Sequence, residues 1–103
     1  MEKTIAGVNL NVDGEGYLQD ISQWNKEIAV EIAKEEGVGE LNDDHWKVID
    51  YLQEQFKNGA ALTIRSVGKS GVTDIKGFYS LFPDGPLKKA SKIAGIKKPV
   101  SCI

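Results

Sequence analysis

Apolar positions near the N-terminus recur at every second residue. Val8, Leu10 and Val12 alternate with Asn9, Asn11 and Asp13, while Thr4, Ile5 and Ala6 precede Gly7. Alternation on both sides of a glycine predicts a small β-hairpin over about residues 3–13, closed by Asp13-Gly14-Glu15-Gly16. From Ser22 onward the period becomes helical. Trp24, Ile28 and Ile32, with Ala29 and Ala33 beside them, predict a first helix that Ser22 caps and Gly37 ends, with Glu27, Glu31 and Glu35 on its other face. Trp46, Ile49, Leu52 and Phe56, flanked by Val48, predict a second helix that Asn42 caps and Asn58-Gly59 ends, both tryptophans anchoring the core. Asp43 and Asp44 fall where the helix dipole favours negative charge.

Beyond Ala60 the elements shorten. Residues 61–67 predict a short helix closed by Gly68. Thr73 or Asp74 caps the next, which runs through Ile75, Phe78, Tyr79 and Phe82. Pro83-Asp84-Gly85-Pro86 breaks the chain, and Pro86 opens a last helix to Ala94, with Gly95 just past its end. Pro99 keeps the tail from continuing as helix. The expected fold is mainly α (α+β), a single domain over 1–103. It is a compact helical bundle with a helix-turn-helix, helices within about 22–95, the small N-terminal β-hairpin, and a flexible C-terminal arm over about 96–103.

Composition narrows the function classes. With 41% hydrophobic and 27% charged residues the chain is that of an ordinary soluble domain, and it has no apolar run of roughly 18 residues able to span a bilayer. Met1-Glu2-Lys3-Thr4-Ile5 lacks the basic and apolar regions of a signal peptide, so a cytoplasmic location without membrane association is expected. One Cys and one His fall short of a zinc site, and neither Gly14-Glu15-Gly16 nor Gly37-Val38-Gly39 sits in a phosphate-binding strand-to-helix context. No metal or cofactor is expected. Asn9, Asn11, Asp13 and Gly14 faintly match a calcium loop, but the hairpin alternation already accounts for them.

Charge is divided along the chain. Residues 1–58 carry 13 Asp/Glu against 5 Lys; residues 59–103 carry 2 Asp against 7 Lys and Arg65. Such asymmetry bears on partners and steering. The basic part ends in Lys97-Lys98-Pro99-Val100-Ser101-Cys102-Ile103, and Cys102 is the only cysteine. Nearby ammonium groups favour the nucleophilic thiolate, while the terminal carboxylate opposes it. Arg65, the only arginine, offers planar bidentate recognition of anions that lysine lacks; a surface ion pair is its plainer reading. His45 reads as a helix-surface or capping residue.

Several strings, in collinear order, carry a resemblance over nearly the whole chain: Asp13-x-Glu15-Gly16-Tyr17-Leu18, Trp24-Asn25, His45-Trp46-x-Val48-Ile49, Ile64-Arg65, Tyr79-x-Leu81-Phe82-Pro83-x-Gly85-Pro86, and Lys92-Ile93-Ala94-Gly95 followed by Pro99 and Cys102. The sequence resembles the DsrC/TusE family of sulfur-relay proteins, which includes the gamma subunit of dissimilatory sulfite reductase. The resemblance implies a helical bundle with a helix-turn-helix and a hairpin, and it implies that Cys102 is a persulfide carrier. Arg65, Lys92, Lys97 and Lys98 are then supporting residues that position the arm, stabilise the persulfide anion or steer partners. Where DsrC proper has a second cysteine, this chain has Ser91, which places it nearer the single-cysteine TusE branch. Lys97 and Ser101 also replace the usual proline and glycine.

The function implied is that of a sulfurtransferase-type carrier acting through partner proteins. It would take sulfane sulfur from a TusBCD-like donor and pass it toward a tRNA thiolase, in 2-thiouridine formation, or toward sulfite reductase. The alternative is a gamma-type docking subunit or regulator of dissimilatory sulfite reductase that relays no sulfur. Direct nucleic-acid binding is not expected, because the helix bearing His45 and Trp46 presents Asp43, Asp44, Asp50 and Glu54.

Overall fold

The computed structural model describes residues 1–60 and 62–98. Cys102 lies outside the described residues, as do Ala61 and the rest of 99–103. The hairpin forms from β1 (Glu2–Ile5) and β2 (Val8–Asn11), antiparallel, with Glu2 opposite Asn11 and Ile5 opposite Val8. Ala6 and Gly7 both have positive φ, 52° and 77°, as a two-residue turn that follows the strand twist requires. Ile5, Leu10 and Val12 are buried, while Val8, at the turn, is 40% exposed.

Five α-helices follow among the described residues: α1 (Lys26–Glu35), α2 (Asp43–Lys57), α3 (Ile64–Lys69), α4 (Ile75–Leu81) and α5 (Pro86–Ile93). Local chemistry sets most of their ends. Asn42, Thr63 and Asp74 each accept backbone N–H groups from the first turn of their helix, and Pro86 occupies the first turn of α5.

Two helix boundaries and one buried face differ from the sequence reading. Ser22 does not cap α1. It lies in a separate 3-10 turn, Ile21–Gln23, where Asp20 accepts both its N–H and its hydroxyl, and those bonds hold the Asp20 carboxyl below its usual range. The chain then extends through Trp24 and Asn25, and Asn25 caps α1. On α2 the buried face is His45, Val48, Ile49 and Leu52, with Trp46 and Phe56 only partly buried. Helix α3 begins at Ile64 and continues through Gly68, which a Cβ would drive into Ile75 Cγ1 at 2.6 Å. That glycine serves the close approach of α4 and does not end the helix.

One hydrophobic cluster runs from Ile5 in the hairpin to Ile96 beyond α5, with Ile28, Ile49, Leu52, Phe78, Phe82, Leu87 and Ile93 among its fully buried members. Helix α5 is its centre, packed against α1, α2 and α4, while α3 packs against α4. His45 joins two elements. Its Nδ1 accepts the Asn42 N–H in a capping box, which leaves Nε2–H to donate to Leu81 O at 2.8 Å, and its ring meets Phe82 edge-on. The sequence reading of His45 as a capping residue therefore holds, with burial added. No helix is long and apolar enough to cross a membrane among the described residues.

Candidate functional site

The C-terminal end of α5, which precedes the segment bearing Cys102 in the sequence, is built by long-range contacts. Helix α5 closes in a Schellman motif: Gly95 N–H donates to Lys92 O and Ile96 N–H to Ser91 O, each at 3.2 Å, with Gly95 at φ 73°. Helix ends leave carbonyls without intrahelical donors. Here Trp24 Nε1–H donates to Ile93 O at 2.7 Å, and Gln53 Nε2 donates to Ala94 O at 2.8 Å. The Trp24 ring also lies against Gly95, where a Cβ would overlap Cδ1 and stand 2.7 Å from Cγ. Ile96 is 1% exposed, so the body of the protein includes the first residue of the expected arm.

Beside this root lies a cavity of about 320 Å³, lined by the chain start, the 12–16 segment and Lys92. The segment is shaped by Asp13, whose Oδ1 accepts N–H groups from Glu15 and Tyr17 at 2.9 and 3.0 Å. Glu15 thereby faces Lys98, and their ion pair is 2.7 Å. Lys92 reaches over Gly16, pairs with Glu36 at 3.1 Å, and places its ammonium 5.9 Å from the centre of the Tyr17 ring. Its side chain is 16% exposed, so this ion pair is better shielded from water than that of Lys98, at 35%.

The expected site residues are thus only partly gathered. Lys92 and Lys98 converge on the root and the cavity. Lys97 is exposed at the same exit. Arg65 is exposed on α3 and has no ion-pair or hydrogen-bond partner among the described residues; it lies outside the cavity lining. Ser91 is fully buried, and its hydroxyl has no partner among the described residues. Glu36 and the amide of Gln53 carried no signal in the sequence, and Glu15 stood in a resemblance string without its pairing to Lys98 being readable, because each acts across at least 41 residues.

The profile of the family described as DsrC like protein matches residues 4–103. A sulfurtransferase TusE from Buchnera aphidicola is 44% identical over 92% of this chain and 90% of that protein. A dissimilatory-type sulfite reductase subunit gamma from Nitratidesulfovibrio vulgaris is 38% identical over 99% of this chain and 98% of its own. Among solved structures, a chain of dissimilatory sulfite reductase I superposes with a TM-score of 0.84 at 39% identity, and DsrC from Allochromatium vinosum with 0.79 at 37%, each covering 100% of both chains.

Proposed function

This chain belongs to the DsrC-like protein family, a family of sulfur relay, and from that membership we propose that it carries sulfur as a persulfide on Cys102. The observation that carries the reading is the pairing of a single thiol, next to last in the chain, with full-length similarity to proteins named sulfurtransferase. The Cys102 thiolate attacks the sulfane sulfur of a donor persulfide. A bond forms from Sγ to that sulfur, the donor's S–S bond breaks, and the donor departs as its own thiolate. No net oxidation occurs. The reverse sense of the same step hands the sulfur to an acceptor. Lys97 and Lys98 bring positive charge to the approach of partners, with Lys92 and Arg65 in supporting roles. The partners are a TusBCD-like donor and a tRNA thiolase or sulfite reductase as acceptor, in the cytoplasm, and the 103 residues act as one domain.

Intact-mass measurement after treatment with inorganic polysulfide tests this. The wild type gains sulfur in increments of one atom, cyanide removes it, and Cys102→Ser gains none. Gain by Cys102→Ser, or none by the wild type, overturns the proposal.

A second reading is favoured by Ser91, which stands where the resemblance implies a second thiol, and by the likeness to a chain of sulfite reductase I. In it the protein docks on a sulfite reductase as a gamma-type subunit and relays nothing. Association with the reductase that survives Cys102→Ser, together with failure of the wild type to take up sulfur, selects this reading.

A further inference from the structure

We propose that the α3–α4 face docks an acidic protein partner, which sets carboxylates against Arg65, Lys69 and Lys76 and an apolar hollow against Ile75 and Tyr79. The inference goes beyond the carrier reading and does not involve Cys102. On α3, Arg65, Gly68 and Lys69 share one face, at positions i, i+3 and i+4. Gly68 has no side chain there, and Ile75 of α4 lies against it, so close that a Cβ on Gly68 would stand 2.6 Å from Ile75 Cγ1. Ile75 thereby joins the face that bears the two α3 cations, and it is 47% exposed. Tyr79, one turn further along α4, is exposed to the same extent, and so is the Lys76 position beside Ile75 open to solvent.

Two features set this surface apart. The other exposed large hydrophobics among the described residues are Met1, at the chain start, and Val8, at the hairpin turn, so only here do two lie one helical turn apart. The ion pairs among the described residues engage Lys3, Lys34, Lys92 and Lys98, none of them on this face. Over residues 62–83 Asp74 is the only acid, and its carboxylate accepts the Gly77 N–H at 2.6 Å. Three cations without an ion-pair partner among the described residues thus surround two open apolar side chains. Protein interfaces favour this composition, with Tyr and Arg as anchors and charge at the rim. A duplex nucleic acid would offer phosphates to the cations and nothing to Ile75. A second copy would have to present its acidic α2 surface, in a head-to-tail contact that does not close. The complementary occupant is a different protein with an acidic rim around an apolar hollow. Two short helices present a small area, so the contact belongs to the weak, reversible class.

The probe is a synthetic helical peptide of about twenty residues, with Leu along one face and Glu over the rest. It is titrated into the nitrogen-15-labelled full chain at low salt under reducing conditions. Amide shifts should concentrate in residues 64–81. Arg65→Gln, Lys69→Gln and Lys76→Gln combined should weaken binding about eightfold, at roughly twofold per charge. Removing as many exposed cations elsewhere, with Lys34→Gln, Lys47→Gln and Lys57→Gln, should weaken it less than about twofold. Tyr79→Ala should weaken it about fivefold, and Tyr79→Glu, which adds a like charge, by at least as much; circular dichroism checks that each variant is folded. No binding by the wild type, or shifts centred outside 64–81, overturns the proposal. Equal loss in the two triple variants overturns it too, because total charge and not this face then sets binding. So does unchanged affinity in both Tyr79 variants. A duplex RNA that moves the same amides at lower concentration assigns the face to nucleic acid, and shifts there on concentrating the protein alone assign it to a second copy; either result overturns the proposal. Sulfur uptake by Cys102 is measured separately, so failure of the carrier reading and failure of the docking face are distinguishable.

Discussion

Helices α3 and α5 both end beside a glycine with positive φ, yet they are held in different ways. At the end of α3, Ser70 bonds back to Val67 O through its own N–H and hydroxyl, and Gly71, at φ 89°, has open space where a Cβ would go. The hydrogen bonds at this end are local, while Val67 and Gly68 pack it against the core and α4. At the end of α5 the glycine lies against Trp24, and donors arrive from residues 41 and 69 positions away. An end whose carbonyls take donors from distant residues depends on the whole fold in a way that an end bonded only to its own turn does not.

Alanine at the two glycines should separate these cases most sharply. Gly71→Ala meets only the left-handed backbone penalty, about 1 kcal/mol. Gly95→Ala adds overlap with Trp24, and overpacking of this kind typically costs a further 1–3 kcal/mol, for a total of about 2–4 kcal/mol. Urea unfolding followed by circular dichroism measures both. Equal losses would show that Trp24 moves aside easily and that the α5 end is no more constrained than that of α3.

A smaller difference is expected from the caps. Gln53→Leu leaves Ala94 O in a partly buried place without its donor and should cost about 1–2 kcal/mol. Ser70→Ala removes a local bond at an exposed position, where water substitutes, and should cost no more than about 0.5 kcal/mol. Ser91→Ala should act in the opposite direction. Its buried hydroxyl has no partner among the described residues, so removing it should raise stability by up to about 1 kcal/mol, seen as a later urea midpoint with unchanged slope.

What the sequence made legible follows the same division. The helix ends at Asn42, Pro86 and Gly95 were readable, and Asp74 as one of two candidates with Thr73, because each depends on neighbours within a turn. The first helix was misplaced because Trp24 stands four residues before Ile28 and so matches the helical period. The extended backbone at Asn25, φ −148° and ψ 176°, separates them and frees Trp24 for α5. On α2 the period was right and the face was rotated, since Trp46 lies partly outside the core with the Lys26 ammonium 5.6 Å from its ring. Gly68 read as a stop because close helix packing leaves the same residue as a helix end does. Of the proposed site, the single thiol and the lysine pair before it were plain in the sequence. The partners that fix the exit were not, because Glu15, Glu36 and Gln53 are ordinary surface types whose pairing only the fold decides.

The smallest expected effect concerns the charges that these pairings leave over. Lys98 is engaged by Glu15 and Lys92 by Glu36, while Lys97 at the exit and Lys69 and Lys76 on α3 and α4 pair with no carboxylate among the described residues. Pairing does not cancel a charge at long range, so both exit lysines contribute to steering. A unit charge about 10 Å from an encounter contributes about 0.4 kcal/mol in water, or roughly twofold in association rate. Changing Lys97 and Lys98 to Gln should therefore slow sulfur uptake from an acidic persulfide-bearing donor protein about fourfold at low salt. The deficit should shrink toward nothing at about 0.5 M salt, where the screening length is only a few ångströms. Alkylation of Cys102 by iodoacetamide, which is neutral, should change less. If both reactions slow in equal proportion, the lysines act on the thiolate itself and not on the encounter. If Lys69→Gln with Lys76→Gln slows uptake more than the exit pair does, the donor first meets the protein on α3 and α4, and the rigid exit of α5 serves transfer after docking.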